Sequence, residues 1–375
     1  MKKNKTTKLC CIFNFAAHYR LSIYQLIDQK LKADFYIGDS SGNLKRMDYN
    51  SLKGYRRTLK NHRLFGSVTW QSGAISLPFK SYNNYLITGD FQCLSTWIVL
   101  LFCKILGKKT YLWTHGWYGR EGWVKRQVKS LYFCLSTGIF LYGEYAKEQM
   151  TKAGFKENKL FVIANSLDYD KQLQIRKKLQ HTNVYRNHFI NDFPNLIFVG
   201  RLTKVKRIDM ILDAMKILQN DKLFVNLTLV GGEMPEFNMR KAITERGLND
   251  FVWLYGSCYD EQKIGELLFN ATVCVSPGNV GLTAIHSLSF GCPVITHNDF
   301  PKQMPEFEAI EDGVNGMFFN YNDVFSLSET IKKWIDQTNS KVRDMDVHSC
   351  CYRIIDEKFN PYYQIEILDK VIMKQ

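Results

Sequence analysis

The strongest constraint on this chain of 375 residues is a regular alternation of short apolar runs with longer segments of helical periodicity. Lys8–Asn14 is typical of a buried strand, and Arg20–Lys32 has apolar residues at helical spacing. The pattern continues with predicted strands at Ala33–Ile37, Asn84–Thr88, Thr110–Thr114 and Gly138–Tyr142 and predicted helices at Phe91–Leu106 and Trp123–Leu135. Strands that alternate with helices in this way form parallel βαβ units and a doubly wound sheet.

The alternation stops at a polar segment, Asp168–Asn195, and then starts again. The second series has predicted strands at Asn195–Val199, Asn226–Val230, Val252–Tyr255, Val273–Ser276 and Pro293–Thr296 and predicted helices at Arg207–Leu218, Glu236–Glu245, Asp260–Phe269 and Leu282–Phe290. The sequence therefore predicts two Rossmann-like α/β domains, residues 1–180 and 190–355, facing across a cleft. A C-terminal helix, residues 356–375, is expected to return to the first domain. Ligands in such sheets bind at the carboxyl ends of the strands.

Charge is distributed unevenly along the chain. Residues 1–180 carry a net charge of +19 and residues 181–375 one of −5, which together give +14. An anionic partner is therefore expected for the first half alone, and nucleic acid and an anionic membrane surface are the candidates. A basic surface without a partner remains the alternative.

Composition excludes several classes of protein. No apolar run reaches the roughly 20 residues of a spanning helix. The basic N-terminus is not followed by the apolar core and cleavage site of a signal peptide. The ten cysteines have no CxxC spacing, which favours small core residues in a reducing cytoplasm over zinc or disulfide frameworks.

One loop between a predicted strand and a predicted helix has the residues of a phosphate site. Gly200 ends the strand, Arg201 follows, and Lys206 lies where the next helix begins. Two cations at a helix N-terminus bind phosphate through charge and through the free helix amides. The alternative is that these lysines and arginines are solvated residues at the start of a helix.

Two further junctions have the same character. Gly278 and Gly281 precede a helix that begins at Leu282, and Gly231 and Gly232 follow another strand. The first amides of a helix lack intrahelical acceptors and can bind a diphosphate. Three glycine-containing loops at strand ends in one half predict a nucleotide site.

Together these segments resemble the group 1 (family 4) glycosyltransferases, which are retaining enzymes with the GT-B fold. Gly200, Arg201, Leu202 and Lys206 match the phosphate motif of that family, and Gly278–Val294 is similar to its long glutamate-containing segment. Looser matches are Gly231, Gly232 and Pro235, then Tyr255-Gly256, then Glu308, Asp312, Gly313 and Gly316. In the first half, Thr114-His115-Gly116 resembles the His-Gly loop of the family, and Asn165-Ser-Leu-Asp168 resembles its Asn-Gly-Val-Asp.

The resemblance implies roles for the matching residues. His115 would contact the donor sugar, or else would only cap its loop, while Arg201 and Lys206 would stabilise the diphosphate leaving group in place of a metal. The implied donor-binding residues are Gly200, Gly232, Tyr255, Gly256, Asn279, Val280, Gly281, Leu282, Thr283 and His286. The implied acceptor and membrane side comprises Arg20, Trp117, Arg120 and Trp123.

The chain departs from the family at two positions. The family usually has two glutamates eight residues apart, and here these positions are Gly278 and His286. A neutral imidazole has one donor and one acceptor, so His286 could make only part of the ribose contact of the second glutamate. A packed helix residue is the alternative for His286, and the loss of the first glutamate leaves the identity of the donor sugar open.

The sequence therefore predicts a hexosyltransferase that moves a sugar from a nucleotide diphosphate, UDP by default, to a glycan or lipid-diphosphate-linked acceptor in capsule or lipopolysaccharide biosynthesis. No cofactor or metal is expected. No nucleic-acid partner is expected either, because no nucleic-acid-binding motif is present. We expect a cytoplasmic enzyme, peripheral on the inner face of the plasma membrane, with Trp117 and Trp123 as interfacial anchors. The basic residues expected to face anionic lipid are Lys2, Lys3, Lys5, Lys8, Lys45, Arg46, Lys53, Arg56, Arg57, Lys60 and Arg63.

Four alternatives stay open at this point. A metal-dependent transferase of the GT-A type would use the Asp168-Tyr-Asp170 sequence. A GT-B relative could epimerise or hydrolyse nucleotide sugars without an acceptor. A basic nucleic-acid-binding protein would also explain the charge of the first half, and a soluble acceptor would leave the basic surface unused.

Overall fold

The computed structural model describes residues 9–39, 45–233, 238–339 and 346–373. Within these ranges the strands are β1 (Leu9–Phe13), β2 (Asp34–Gly38), β3 (Tyr55–Phe65), β4 (Val68–Ser72), β5 (Asn84–Thr88), β6 (Lys109–Thr114), β7 (Gly138–Leu141), β8 (Leu160–Val162), β9 (Asn195–Val199), β10 (Asn226–Val230), β11 (Val252–Gly256), β12 (Val273–Ser276), β13 (Val294–His297) and β14 (Gly316–Phe319). The α-helices are α1 (Leu21–Leu31), α2 (Leu94–Ile105), α3 (Trp123–Cys134), α4 (Glu144–Lys152), α5 (Tyr169–Arg176), α6 (Val184–Phe189), α7 (Ile208–Asn220), α8 (Met239–Glu245), α9 (Glu261–Asn270), α10 (Leu282–Ser289), α11 (Val324–Asn339), α12 (Val347–Glu357) and α13 (Pro361–Met373). The chain divides into two compact units, residues 1–168 with 360–375, and residues 169–359.

The first unit is built on an eight-stranded sheet with the order β4-β3-β2-β1-β5-β6-β7-β8. Its paired strands are parallel except for β3 and β4, which form an antiparallel hairpin at one edge. Helix α13 belongs to this unit, because Ile365, Leu368 and Ile372 are buried in the same apolar cluster as Phe13. The amide side chain of Gln364 also donates to the carbonyl oxygen of Ala164 at 2.9 Å.

The second unit is built on a six-stranded parallel sheet with the order β11-β10-β9-β12-β13-β14. Helix α7 packs on it through buried residues at helical spacing, Ile208, Ile211, Met215 and Leu218. Helix α9 begins after Asp260, whose carboxylate accepts hydrogen bonds from the first amides of the helix. Two α/β units with mostly parallel sheets confirm the GT-B fold class expected from the sequence.

The order of strands reverses at one place in each sheet, between β1 and β5 in the first and between β9 and β12 in the second. The segments that leave these strand ends diverge to opposite sides, which opens a crevice for a ligand. In the second sheet they are the two glycine-containing loops singled out from the sequence. In the first sheet they are the segments that begin at Asn14 and Gly89.

The structure differs from the sequence predictions in three places. The polar segment 168–195, predicted as a break, contains α5 and α6, and residues 169–180 lie in the second unit because α5 packs against α9 and α10. The C-terminal helix expected to return to the first domain is α13, but it begins at Pro361, and residues 356–359 still lie in the second unit with the end of α12. Strands β3, β4, β8 and β14 and helices α4 and α11 were not predicted; β3 has mostly polar, exposed side chains, and β8 and β14 are short.

Candidate functional site

The loops after β9 and β10 lie against each other at the carboxyl edge of the second sheet. The amide of Gly200 donates to the carbonyl oxygen of Val230 at 2.9 Å, and the amide of Leu202 donates to that of Gly232 at 3.0 Å. A Cβ atom on Gly231 would lie 1.8 Å from the carbonyl oxygen of Gly200. Only glycine therefore permits this approach of the two loops.

The loops after β11 and β12 join the same edge. The amide of Gly231 donates to the carbonyl oxygen of Gly256 at 2.9 Å, and the amide of Gly278 donates to that of Lys206 at 3.2 Å. A Cβ atom on Gly278 would lie 2.1 Å from the carbonyl oxygen of Val205. The position that resembles the first family glutamate is therefore closed to any side chain unless the backbone moves.

Lys206 connects the loop after β9 to the loop after β12. Its ammonium group donates to the carbonyl oxygen of Asn279 at 2.5 Å and to the side-chain oxygen of the same residue at 2.9 Å. Burial lowers the pKa of Lys206 from 10.5 to about 8; Glu306 opposes this shift, and the positive charge of Arg201 adds to it. The group is thus a largely desolvated cation below pH 8, where an anion would be bound strongly.

Arg201 lies on the same loop but is exposed, and its guanidinium makes no hydrogen bond with the residues that the structure describes. It is therefore available to a ligand. Lys204, two residues before Lys206, is also exposed. Arg201, Lys204 and Lys206 thus differ in burial, which sequence alone does not show.

The start of α10 supplies amide donors at the same edge. The hydroxyl of Thr283 donates to the carbonyl oxygen of Val199 at 3.1 Å, which fixes the first turn of the helix against the end of β9. The amide of Val280 is already bonded to Gln303 at 2.9 Å. The amides of Leu282 and Thr283 lie in the first turn, where an α-helix offers no acceptor.

The remaining donor-site predictions lie on neighbouring elements. Tyr255 and Gly256 end β11, with the Tyr255 ring half-buried and 5.0 Å from the ring of Trp253. Gly232 follows β10, and the position of its missing Cβ is 2.9 Å from the hydroxyl of Ser257. Pro235, which completed the looser family match, lies outside the described residues.

His286 lies one turn into α10 and is bonded to a residue that the sequence analysis did not select. Its Nε2 atom is 3.1 Å from the carboxylate of Glu261, the first residue of α9. Burial would raise the pKa of Glu261, but the hydrogen bonds from His286 and Gln172 and the charge of Lys171 hold it below its ordinary value. A carboxylate thus lies beside the position of the second family glutamate, and only the tertiary structure reveals it.

The first unit has a cavity of about 370 Å³ at the carboxyl edge of its sheet. Its walls include the segments that follow β1, β5 and β6, together with Arg20, Tyr118, Lys129 and Tyr142. The cavity lies at the reversal of strand order, as expected for a ligand site of a doubly wound sheet.

His115 lies half-buried in the wall of this cavity. Its ring centroid lies 4.7 Å from that of Tyr142 and 6.0 Å from that of Tyr118. Burial lowers the pKa of His115 from 6.5 to about 4, and the charges of Arg20 and Lys129 add to this effect. The imidazole is therefore neutral at physiological pH and can donate or accept a hydrogen bond, but it cannot supply charge.

Arg20 and Asp90 bring charge to the same cavity. Arg20 donates to the hydroxyl of Tyr142, and its guanidinium lies 5.4 Å from the ring centroid of Trp113. Burial raises the pKa of Asp90, and the amide of Gln92, which donates to its carboxylate, opposes the shift. Asp90 was missed from the sequence, although its place two residues after a predicted strand was a usable signal.

The loop from Gly116 to Glu121 is held by a buried ion pair. The ammonium of Lys129 lies 2.7 Å from the carboxylate of Glu121 and 2.7 Å from the carbonyl oxygen of Gly116, and both charged side chains are less than a tenth exposed. The carboxylate also accepts from the amides of Tyr118 and Gly119. This loop therefore has a fixed conformation beside His115.

The residues predicted for the acceptor and membrane side do not share one environment. Trp117 is only 4% exposed and packs edge-on against Phe155, so the prediction of an interfacial anchor at Trp117 is wrong. Trp123 is 74% exposed and Arg120 is exposed as well. Arg20 lies in the cavity wall. Of the basic residues expected to face lipid, Lys2, Lys3, Lys5 and Lys8 lie outside the described residues; Lys45, Arg46, Lys53, Arg56, Arg57, Lys60 and Arg63 are exposed.

The Asp168-Tyr-Asp170 sequence was the candidate metal-binding motif of a GT-A type transferase. Asp168 accepts a hydrogen bond from Ser22 at 3.1 Å, and Asp170 lies in the first turn of α5 rather than at a strand end. Among residues 9–39, 45–233, 238–339 and 346–373, no group of three or more His, Cys, Asp or Glu side chains is arranged to hold a metal ion.

Comparison with known proteins agrees with this geometry. Residues 182–346, which contain the loops after β9, β10, β11 and β12, match the family described as "Glycosyl transferases group 1". This segment is a group 1 glycosyltransferase domain. The resemblance read from the sequence is thereby confirmed at the level of group 1.

Three similar proteins place this group 1 domain in context. An uncharacterised 41.2 kDa protein in the cps region of Klebsiella pneumoniae is 28% identical over 192 residues, which are 48% of this chain and 49% of that protein. The match thus spans about half the length of this curated relative. The crystal structure of HepE from Anabaena with UDP has a TM-score of 0.72 at 15% identity, covering 98% and 100% of the two chains. The apo form of the lipopolysaccharide outer core galactosyltransferase WaaB has a TM-score of 0.70 at 14% identity, covering 98% and 99%.

Proposed function

We propose that the chain is a retaining glycosyltransferase of family 4 that transfers a hexose from a nucleotide diphosphate sugar, by default a UDP-sugar, to a glycan or lipid-diphosphate-linked acceptor. One observation carries this proposal: four strand-end loops meet around Lys206 and the start of α10, within the segment that matches group 1. The UDP bound to HepE and the cps-region relative support a nucleotide-sugar donor and a surface polysaccharide as product.

The charges of the second unit suit a diphosphate leaving group. In the proposed reaction, Arg201 and Lys206 bind the diphosphate together with the amides of Leu282 and Thr283. Negative charge on the leaving group grows as the glycosidic bond breaks, so fixed positive groups stabilise the transition state more than the bound substrate. These cations take the place that a metal ion has in other transferases, which is why we propose a metal-independent enzyme.

The cavity of the first unit suits sugar hydroxyls. The neutral imidazole of His115 can donate a hydrogen bond to a sugar hydroxyl in this cavity or accept one from it. Asp90 offers a carboxylate that can accept from an acceptor hydroxyl, and Arg20 can neutralise an acidic group of the acceptor. We therefore assign acceptor binding to the first unit.

We also propose that the enzyme is a cytoplasmic protein, peripheral on the inner face of the plasma membrane. Helix α3 exposes the apolar residues Trp123, Val124, Val128 and Leu131, and α2 exposes Leu101 and Ile105. The two helices are neighbours, since the rings of Trp97 and Tyr132 are 5.0 Å apart. Residues 79–143, which contain both helices, have eight lysines and arginines but only two acidic residues, a balance of charge that suits anionic lipid. In the described part of the chain, no helix has both the length and the apolarity needed to cross a bilayer.

A donor-hydrolysis screen tests the proposed activity. The purified protein is incubated with a panel of UDP-, GDP- and ADP-sugars, with and without EDTA, and the released nucleoside diphosphate is measured. We expect release from one class of donor, unaffected by EDTA and lost in Lys206→Ala. Release by Lys206→Ala at the wild-type rate would contradict the site, and activity that required Mn²⁺ or Mg²⁺ would contradict the metal-independent mechanism.

A further inference from the structure

The contact between His286 and Glu261 joins the proposed phosphate site to a second cavity. The cavity measures about 370 Å³ and is lined by Glu261 with its neighbours on α9 and by residues of α5 and of the segment that follows it. The ring of Tyr259 at its rim is 92% exposed. Glu261 therefore lies between α10, where the diphosphate is proposed to bind, and an open pocket.

Helix geometry fixes the spacing of the two sites. His286 is four residues after Leu282, so it lies about one turn, roughly 5.4 Å, along the helix from the amides proposed to bind phosphate. Residues at this spacing are on the same face of a helix. A nucleoside diphosphate anchored by its phosphates at the start of α10 would therefore bring its ribose towards His286 and Glu261.

The carboxylate of Glu261 has the capacity for a further ligand. An ionised carboxylate has about four acceptor positions. One is used by His286 at 3.1 Å and one by Gln172, and these bonds favour the ionised form. The other positions can accept from two adjacent hydroxyl groups, which His286 alone, with one acceptor, cannot do.

We propose that Glu261, positioned by His286 and Gln172, binds the ribose hydroxyls of the donor nucleotide and makes the site selective for ribonucleotides over 2′-deoxyribonucleotides. The inference rests on the proposed function and deepens it. The imidazole of His286 holds the Glu261 carboxylate in position, and the glutamate that approaches the ligand comes from α9 rather than α10. A purely structural contact between α9 and α10 is the competing explanation.

The test measures nucleotide affinity by isothermal titration calorimetry on the full chain. UDP, GDP and ADP identify the base that binds best, and its 2′-deoxy counterpart is then titrated. Loss of one hydrogen bond to a charged group should weaken wild-type binding of the deoxynucleotide about tenfold or more. Glu261→Gln, which keeps the shape but removes the charge, should bind both nucleotides alike, while Glu329→Gln, an exposed carboxylate on α11, should keep the wild-type ratio.

A double variant separates ligand binding from packing. Glu261→Gln combined with His286→Glu returns a carboxylate to the same face and should restore discrimination between ribo- and deoxynucleotide. A structural contact predicts instead a change in thermal stability with an unchanged affinity ratio, and that result in Glu261→Gln would overturn the inference while leaving the proposed function intact. Failure of the wild type to bind any of the three nucleotides would overturn both.

Discussion

Lys206 combines two roles that are separable by experiment. It bonds Asn279 and so holds two loops together, and its charge lies where the diphosphate is proposed to bind. Lys206→Ala should lower kcat by about 10²–10³, the usual effect of removing one charge-stabilising donor. Lys204→Ala is the matched control, because Lys204 is exposed on the same loop and should change kcat little. Equal effects of the two substitutions in steady-state kinetics would contradict the assignment.

The lowered pKa of Lys206 predicts the alkaline limb of the pH profile. The ammonium is charged below its pKa of about 8 and neutral above it, so kcat/KM, which reports the free enzyme, should fall as pH rises through about 8. Lys206→Arg should move this limb to higher pH, since a guanidinium stays protonated. Because the pKa of His115 is about 4, His115 should contribute no limb near pH 6.5. A limb that is unmoved in Lys206→Arg would show that another group titrates there.

The buried ion pair of Lys129 and Glu121 gives a prediction about the stability of the protein. Removing one partner leaves an uncompensated charge, so Lys129→Met should lower the free energy of unfolding by about 3–5 kcal/mol. Lys129→Met combined with Glu121→Gln should recover part of the loss, because no charge is then buried. Chemical denaturation measures the free energy of unfolding of the single and the double variant. A double variant less stable than the single one would mean that the pair itself, and not the orphaned charge, sets the stability.

At the scale of helices and strands, the sequence predicted the elements whose burial is uniform. β9, β10 and β12 are buried along nearly their full length, so each is a mainly apolar run with glycine just after its end. β3, the inner strand of the hairpin at the sheet edge, was missed because its exposed arginines and lysines leave neither an apolar run nor clean alternation. Glu261 was missed for another reason: its partners His286 and Gln172 lie on other elements, and one sequence does not show which elements meet. Asp90 was missed although it lies just after a predicted strand, because its sequence neighbourhood does not show that it borders a cavity. Trp117 was assigned to the surface because a tryptophan among basic residues has the same sequence pattern whether it is buried or exposed.

The exposed face of α2 and α3 predicts salt-sensitive binding to anionic vesicles. Sedimentation with vesicles should fall sharply at about 0.5 M salt, where the screening length is a few Å. Val128→Glu combined with Leu131→Glu should reduce binding at low salt by removing apolar contact and adding like charge. Phe325→Glu, on an exposed apolar position of the second unit, is the control. Binding that does not depend on salt or lipid charge would contradict the assignment of this face to membrane binding. So would an effect of Phe325→Glu as large as that of the double variant.

At the scale of the whole molecule, the two units depend differently on the end of the chain. The second unit is one continuous segment, residues 169–359, whereas the first needs residues from 360 onward. Truncation after Phe359 removes Ile365, Leu368 and Ile372 from the core of the first unit. We expect the truncated protein to lose the thermal transition of the first unit while it keeps nucleotide affinity. Unchanged unfolding of the first unit would show that α13 contributes little.

The return of α13 to the first unit also has a consequence for biosynthesis. A ribosome delivers residues 1–168 first, but Gln364, which donates to the carbonyl oxygen of Ala164, comes only after the whole second unit has been made. N-terminal domains generally fold first during translation. Here the second unit, although it is made later, can reach its native state earlier. Until α13 has been made, the apolar side chains of the first unit that α13 covers are exposed to solvent and to chaperones.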